Sequence, residues 1–438
     1  MAILSKEEAQ EILNKALKLS KADACEVILN GTVEGNIRSA LNAVSTAGEK
    51  SKTTLSINAT YGKRTGNTTI NEFDDAALEK GMRRAEEIAR LAPEDPEYMP
   101  LLGPQNYKEA ITYKPVTAAL TSNDRAEAAL QSIKVAKAAN LEAAGFLNNT
   151  TSFLAMQNSK GLFAYNKETD VSFSVTVRNR EGTGSGYASQ SSHDFSKLDT
   201  LAQTKMAADK AMASAGAKAI EPGKYTVILE PLAAEGLIRF MMNGFNARNA
   251  DEGRSFMSKK GGGTRVGERL LDEKVTIYSD PLHPELPSPT WSSDGLPQDK
   301  NVWVEDGVVK SLSYSRYWAS KKNVKPIPEP AVFIMEGGTG SIEDLIKQTE
   351  RGILVTRFWY TRMVDPQTLT LTGLTRDGTF YIENGKIKFP VKNFRFNESP
   401  IIMLNNLEAL GKPVRSGNMM IPPMKIRDFT FTSLSDAV

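Results

Sequence analysis

The chain has 438 residues, of which 40% are hydrophobic and 24% charged, with 54 Lys plus Arg against 52 Asp plus Glu and a formal net charge of +2. Its length suits roughly two or three domains, its apolar content excludes disorder over the whole chain, and its charge balance excludes a protein attached mainly through a strongly basic surface. A single cysteine, Cys25, and two histidines, His193 and His283, exclude an intramolecular disulfide, a cysteine-rich zinc site and a three-histidine metal site within one chain.

Met1 to Gln10 (MAILSKEEAQ) lacks the basic run and apolar core of a secretory signal. No stretch approaches the roughly 20 apolar residues that cross a bilayer. A cytoplasmic protein is expected, and a lone thiol suits a reducing compartment. Ser5 to Glu8 is a capping box, and Ile12, Leu13, Ala16, Leu17 and Leu19 form a helical stripe behind it. Cys25–Leu29 and Thr53–Ala59 read as strands. A second helix starts after the N-cap Asp74 and runs to about Leu91, with Pro93 and Pro96 beyond it. A third is predicted from about Asp124 to Ala144.

A meander follows: a strand over Thr151–Gln157, a turn over Asn158–Gly161, a return strand over Leu162–Tyr165, and an alternating strand over Val171–Arg178. A helix fits Leu198–Ala215, and Pro222-Gly223 then punctuates the chain. The domain boundary is placed there, giving an α/β N-terminal and middle region over 1–222 and a β-rich C-terminal domain over 223–438. In the latter, a strand over Tyr225–Leu229 feeds a helix from Pro231 to about Asn243. A polar loop with Gly253, Gly261–Gly263 and Gly267 comes next. Hairpins are expected around Glu305-Asp306-Gly307 and Glu383-Asn384-Gly385, with further strands over Ala331–Met335, Leu369–Leu374 and Asp428–Thr432. No internal repeat is visible. The fold class expected is α+β: helices on an antiparallel sheet, followed by a β-rich domain.

Local motifs carry little chemistry. Gly182, Gly184 and Gly186 follow a strand, but the polar stretch Tyr187–Asp194 is not the helix that a dinucleotide fingerprint requires, so a strand end or turn is expected. Gly337-Gly338-Thr339-Gly340 follows a strand and precedes a short helical stretch, which makes it a candidate peptide contact. Ser192, His193 and Asp194 are the residue types of a hydrolase triad, but neighbours in sequence do not provide its geometry. Asp280, His283 and Glu285 offer a donor set in a proline-stiffened loop, read as a solvated connection. Cys25 reads as buried filler. Lys259-Lys260 and Lys321-Lys322 read as solvated surface.

Four segments together carry a resemblance. They are Gly66–Asp75 with Ala89–Pro96, then Leu147–Ser185, then Tyr225–Glu235 (YTVILEPLAAE), and finally Arg265–Glu268 with Ile277–Pro281. In this order and spacing they resemble the TldD/PmbA family over nearly the whole chain. In the family's TldD branch the aligned strand runs into HExxxH, and a later cysteine completes a zinc site. Here Glu230 and Glu235 stand at the two histidine positions, Pro231 at the glutamate position, and no cysteine follows Cys25. Residues five apart on a helix diverge by about 140°, so Glu230 and Glu235 do not converge unaided. Pro231 suits the first helical position.

The resemblance therefore implies the PmbA/TldE-like branch. It implies a subunit of a cytoplasmic metallopeptidase complex acting on unfolded or leader peptides, with no catalytic or metal residues of its own and with zinc in a TldD-like partner. Peptide held by strand addition in an internal cavity is the binding mode expected. The alternative is a stand-alone homodimeric peptide- or protein-binding modulator of the gyrase-modulator type. A hydrolase using Glu230, Glu235 or His283, and direct nucleic-acid binding, are the remaining and weaker readings.

Overall fold

A computed structural model describes residues 3–435. Met1 and Ala2 of the N-terminal segment, and residues 436–438 of the C-terminal region, lie outside the described residues. The first half runs α1 (Lys6–Lys18), β1 (Ala24–Ala40), β2 (Ala43–Tyr61), β3 (Arg64–Ile70), α2 (Asp75–Leu91), α3 (Pro115–Ala118), α4 (Ser122–Ala138), β4 (Glu142–Asn158), β5 (Phe163–Arg178), β6 (Ser185–Ser192) and α5 (Thr200–Ala213). The capping box forms as expected: the Ser5 amide donates to Glu8 Oε2 at 2.7 Å and the Glu8 amide to Ser5 Oγ at 3.2 Å. Asp74 caps α2 by accepting from the Ala77 amide at 2.9 Å.

The strands form one antiparallel sheet of order β3-β2-β1-β4-β5-β6. They outgrow the segments read from sequence. Cys25–Leu29 and Thr53–Ala59 are parts of strands of 17 and 19 residues. Leu162–Tyr165 and Val171–Arg178 belong largely to one strand, β5. The predicted third helix stops at Ala138, and Glu142–Ala144 open β4 instead; helix propensity there yields to pairing with β5. Tyr187–Ser192, too polar to look regular, is strand β6.

The element order repeats. Helix, three strands and helix (α1–β1–β2–β3–α2) recur as α4–β4–β5–β6–α5, with β1 and β4 antiparallel at the centre of the sheet. No repeat is visible in the sequence because the shared features are single small residues. In both units a glycine on the third strand lies under the closing helix. A methyl group at Gly66 would come within 2.2 Å of the Ala85 carbonyl oxygen on α2, and one at Gly186 within 2.0 Å of the Ala207 carbonyl oxygen on α5. Odd-numbered residues of β1 and β4 supply the helix-facing core: Cys25, Val27, Leu29, Phe153 and Ala155 beneath α1 and α2, and Ile37, Ala143 and Leu147 in the cluster formed with α4 and α5.

Cys25 is 1% exposed, with Met82 Sδ 4.0 Å from its sulfur, and burial pushes its thiol up to about 11. A thiol held so far above neutrality has almost no thiolate at pH 8. We therefore expect no reaction with Ellman's reagent in the native protein and one thiol per chain in denaturant. Prompt native labelling would contradict this burial.

The second half runs β7 (Gly223–Leu229), α6 (Pro231–Asn243), α7 (Ala247–Asp251), β8 (Ile277–Ser279), β9 (Asn301–Glu305), β10 (Val308–Val309), α8 (Arg316–Lys322), β11 (Phe333–Met335), α9 (Ile342–Lys347), β12 (Arg351–Asp365), β13 (Thr370–Glu383), β14 (Lys386–Pro390), β15 (Phe394–Glu398), α10 (Pro400–Asn405), β16 (Leu407–Leu410), β17 (Val414–Ser416), β18 (Met419–Ile421) and β19 (Met424–Leu434). Both glycine-turn hairpins form, as β9–β10 and β13–β14. Five strands close a ring, β12–β7–β19–β15–β13 and back to β12. Its aromatic packing includes Phe358 against Phe396 at 4.4 Å and Phe394 against Phe431 at 4.6 Å between ring centres. A mixed sheet, β10-β9-β8-β11-β18-β17, lies beside it. No helix is long and apolar enough to cross a membrane among the described residues.

Candidate functional site

A cleft of about 590 Å³ opens between the two halves. One wall is β6 with Gln203, Met206 and Lys210 of α5; the other is the start of α6, Gly340 and Ser341 with the first residues of α9, and Lys412 with β17. β6 is the last strand of its sheet and pairs only with β5. Every residue from Tyr187 to Ser192 lines the cleft, as a strand presenting its edge does. The Ser191 hydroxyl has no hydrogen-bond partner among the described residues.

Glu230 lies at the floor, where β7 passes into α6. It is the N-cap residue, its side chain caps no helix amide, and Pro231 takes the first helical position. Its carboxylate is 2.6 Å from Lys210 Nζ, with side chains 9% and 16% exposed, and it also accepts from Thr356 Oγ1 at 3.4 Å. An ion pair this enclosed holds α5 of the first half to α6 of the second. Glu235 is turned elsewhere: it pairs with Arg239 and accepts from Ser416 Oγ at 2.7 Å. The two carboxylates thus serve separate partners.

The glycine turn divides in the same way. Gly340 lines the cleft. A methyl group at Gly337 would come within 2.5 Å of the Gly411 carbonyl oxygen, and one at Gly338 within 2.4 Å of that of Leu410. Close packing against 410–411 accounts for those two glycines, and Thr339 is exposed.

A second cavity of about 350 Å³ shares Ser192, Lys197, Glu285 and Arg415 with the first and contains His193 and His283. No triad forms. His193 Nδ1 is 2.6 Å from the Thr169 carbonyl oxygen and Nε2 is 3.0 Å from that of Pro287, so the ring braces β5 against the 281–288 loop. Ser192 Oγ accepts from the Asp194 amide at 3.0 Å. Asp280 caps its own loop through the Leu282 amide at 2.9 Å, and His283 Nδ1 accepts from the Glu285 amide at 3.3 Å. Burial pushes the Asp170 carboxyl up, while Arg415, 3.2 Å away, pulls it down. Burial likewise raises Glu168, with His193 opposing. No three His, Cys, Asp or Glu side chains converge as a metal-ligand set among the described residues.

Sequence reasoning missed Lys210, Thr356, Arg415 and Ser416. Each is an ordinary residue in its own segment and acquires its role from a partner 126 positions away for Thr356, 245 for Arg415 and 181 for Ser416. Lys210 lies 20 positions from Glu230 but in a different half of the molecule.

Family models described as PmbA/TldA metallopeptidase domain 1, central domain and C-terminal domain match residues 25–89, 115–215 and 222–433. The chain is similar to "Metalloprotease PmbA" of Escherichia coli O157:H7, at 22% identity over 97% of this chain and 98% of that one. A "Metalloprotease TldD homolog" of Buchnera aphidicola is 24% identical over 34% of each chain. In fold, the crystal structure of TldE from Thermococcus kodakarensis superposes with a TM-score of 0.87 at 20% identity, covering 97% of this chain and 99% of that one. With all three domain models matched in order along its length, this chain belongs to the PmbA/TldD family.

Proposed function

We propose that the chain is the PmbA/TldE-like subunit of a cytoplasmic metallopeptidase pair. It holds unfolded or leader peptides in the cleft, while a TldD-like partner carries the zinc. The observation that carries this reading is the Lys210–Glu230 ion pair. A hydrolytic zinc site needs three ligands, an open position for water and a carboxylate to take the water's proton. Here the first histidine position is Glu230, neutralised by an ammonium, the second is Glu235, turned toward Arg239 and Ser416, the carboxylate position is Pro231, which has no donor, and no cysteine follows Cys25 to supply the third ligand. These residues do not fit zinc, and no catalytic step is assigned to them.

The same cleft suits peptide binding. An open strand edge offers main-chain donors and acceptors to any extended chain, so it binds with little demand on sequence. Gly340 and the β17 segment face β6 across the cleft.

The test is metal content and activity together. Expressed with ample zinc, the lone chain is expected to hold close to no metal and to cleave no peptide; activity appears on mixing with an HExxxH-bearing family member. One equivalent of zinc, or cleavage by the lone chain, overturns the reading. A stable self-dimer that binds peptide regardless of any partner would replace it with a stand-alone binder.

A further inference from the structure

The outer part of the β12–β13 hairpin carries a row of alternating rings and guanidinium groups that begins at the cleft. Arg357 lies 3.8 Å from the ring centre of Tyr187, which lines the cleft, and 5.5 Å from that of Trp359. Arg376 lies 4.6 Å from Trp359, the Trp359 and Tyr360 rings are 6.5 Å apart, and Arg362 lies 4.2 Å from Tyr360. Met363 and Val364 continue the row with exposed aliphatic surface.

The backbone here is built to present side chains. The β12–β13 register passes from Trp359↔Leu374 to Arg362↔Thr372, leaving Tyr360 and Thr361 as a bulge. Tyr360 sits at φ +58° and is 62% exposed. A left-handed conformation is costly for an aromatic residue, and the exposed ring packs only along its own row, beside Trp359 and Arg362. Bulges commonly re-aim a side chain. The other edge of β12 pairs with β7 over Ile353–Val355, so the 359–365 edge has no strand partner there among the described residues.

We infer that this surface docks a protein partner whose face combines acidic side chains with apolar ones, and that docking places the partner beside the cleft. The inference rests on the reading of the chain as one of a pair. Trp, Tyr and Arg are the residues that dominate protein interfaces. Arg357 is already paired with Asp377 of its own chain, so it is the exposed Arg362 that calls for a carboxylate opposite it. Met363 and Val364 call for apolar cover, which a nucleic-acid backbone does not supply.

The experiment is co-purification with an HExxxH-bearing family member, with affinity measured for the wild-type chain and for Tyr360→Gly/Arg362→Glu. Both residues are exposed, and glycine accepts the left-handed φ, so the variant is expected to melt like the wild type. Its binding should be at least about thirtyfold weaker, from a hot-spot threshold of about 2 kcal/mol at about 1.4 kcal/mol per tenfold. Leu91→Glu, at another exposed apolar position, should bind as the wild type does. If the wild type pairs and the double variant pairs equally well, the docking surface is wrong while the pairing stands. If the wild type does not pair at all, the pairing reading falls and takes this inference with it. Salt-sensitive binding of a labelled single-stranded oligonucleotide, abolished by Arg362→Glu, would also overturn it.

Discussion

Replacing Lys210 by methionine should lower stability by on the order of 2–4 kcal/mol and the melting midpoint by roughly 2–5 °C. The substitution removes the ammonium 2.6 Å from Glu230 and leaves that carboxylate enclosed, with Thr356 as its remaining side-chain partner. Breaking one side of a buried pair typically costs more than the pair contributes, because the orphaned charge stays desolvated. The start of α6 offsets part of the loss, since helix N-termini favour negative charge by about 0.3–1 kcal/mol. Glu230→Gln should cost less: Lys210 is long, partly exposed and able to turn its ammonium into the cleft. The double variant Lys210→Met/Glu230→Leu should recover most of the loss, as apolar replacement of a buried pair often does. Thermal melts of the three variants decide the matter. A loss below about 1 kcal/mol for Lys210→Met would mean that the pair behaves as a surface contact, and the argument against a metal at Glu230 would lose its main support.

The parts of this fold that are legible in the sequence are those set by local chemistry. The Ser5–Glu8 and Asp74 caps, the Pro231 helix start, and the Gly307 and Gly385 turns each depend on residues a few positions apart, and each forms where expected. Strand ends are less legible because pairing sets them: β1 extends to Ala40 by pairing with β2 and, as far as Ser39, with β4, and nothing within Gly31–Ala40 alone demands a strand. The duplication was hidden for a related reason. It is carried by Gly66 and Gly186 beneath their helices, single residues too sparse to register as a repeat. At the site, Glu230 and Pro231 stand out through the family pattern and Gly340 as a glycine after a strand, and all three line one cleft. Glu235 lies outside the cleft lining, and Gly337 and Gly338 are explained by packing. Lys210 and Arg415 gave no local signal, because an ion pair between distant segments leaves no periodicity or spacing behind.

Gly186→Ala should be among the most destabilising single substitutions in the first half, at about 3 kcal/mol, the upper end of the usual cost of overpacking. The added methyl meets the Ala207 carbonyl oxygen at 2.0 Å and the Ala211 amide nitrogen at 2.7 Å. Both are backbone atoms of α5, so no rotamer change relieves the clash; α5 must lift from β6. Gly66→Ala faces the matching clash with Ala85 and Ala89 on α2 and should cost a similar amount. Gly236 provides the opposite case. It lies within α6 with open space around the position of an added methyl, so Gly236→Ala should stabilise by about 0.5–1 kcal/mol through helix propensity. The Gly186 effect extends to the site. β6 forms one wall of the cleft and α5 carries Lys210, so lifting α5 strains the ion pair with Glu230 as well as the strand edge. Gly186→Ala should therefore weaken peptide capture although Gly186 does not line the cleft, whereas Gly66→Ala, under the other helix pair, should destabilise without weakening capture by the folded protein. Denaturant melts paired with peptide-binding titrations below the transition would separate the two. Equal loss of capture in both variants would mean that peptide binding follows overall stability rather than the position of β6.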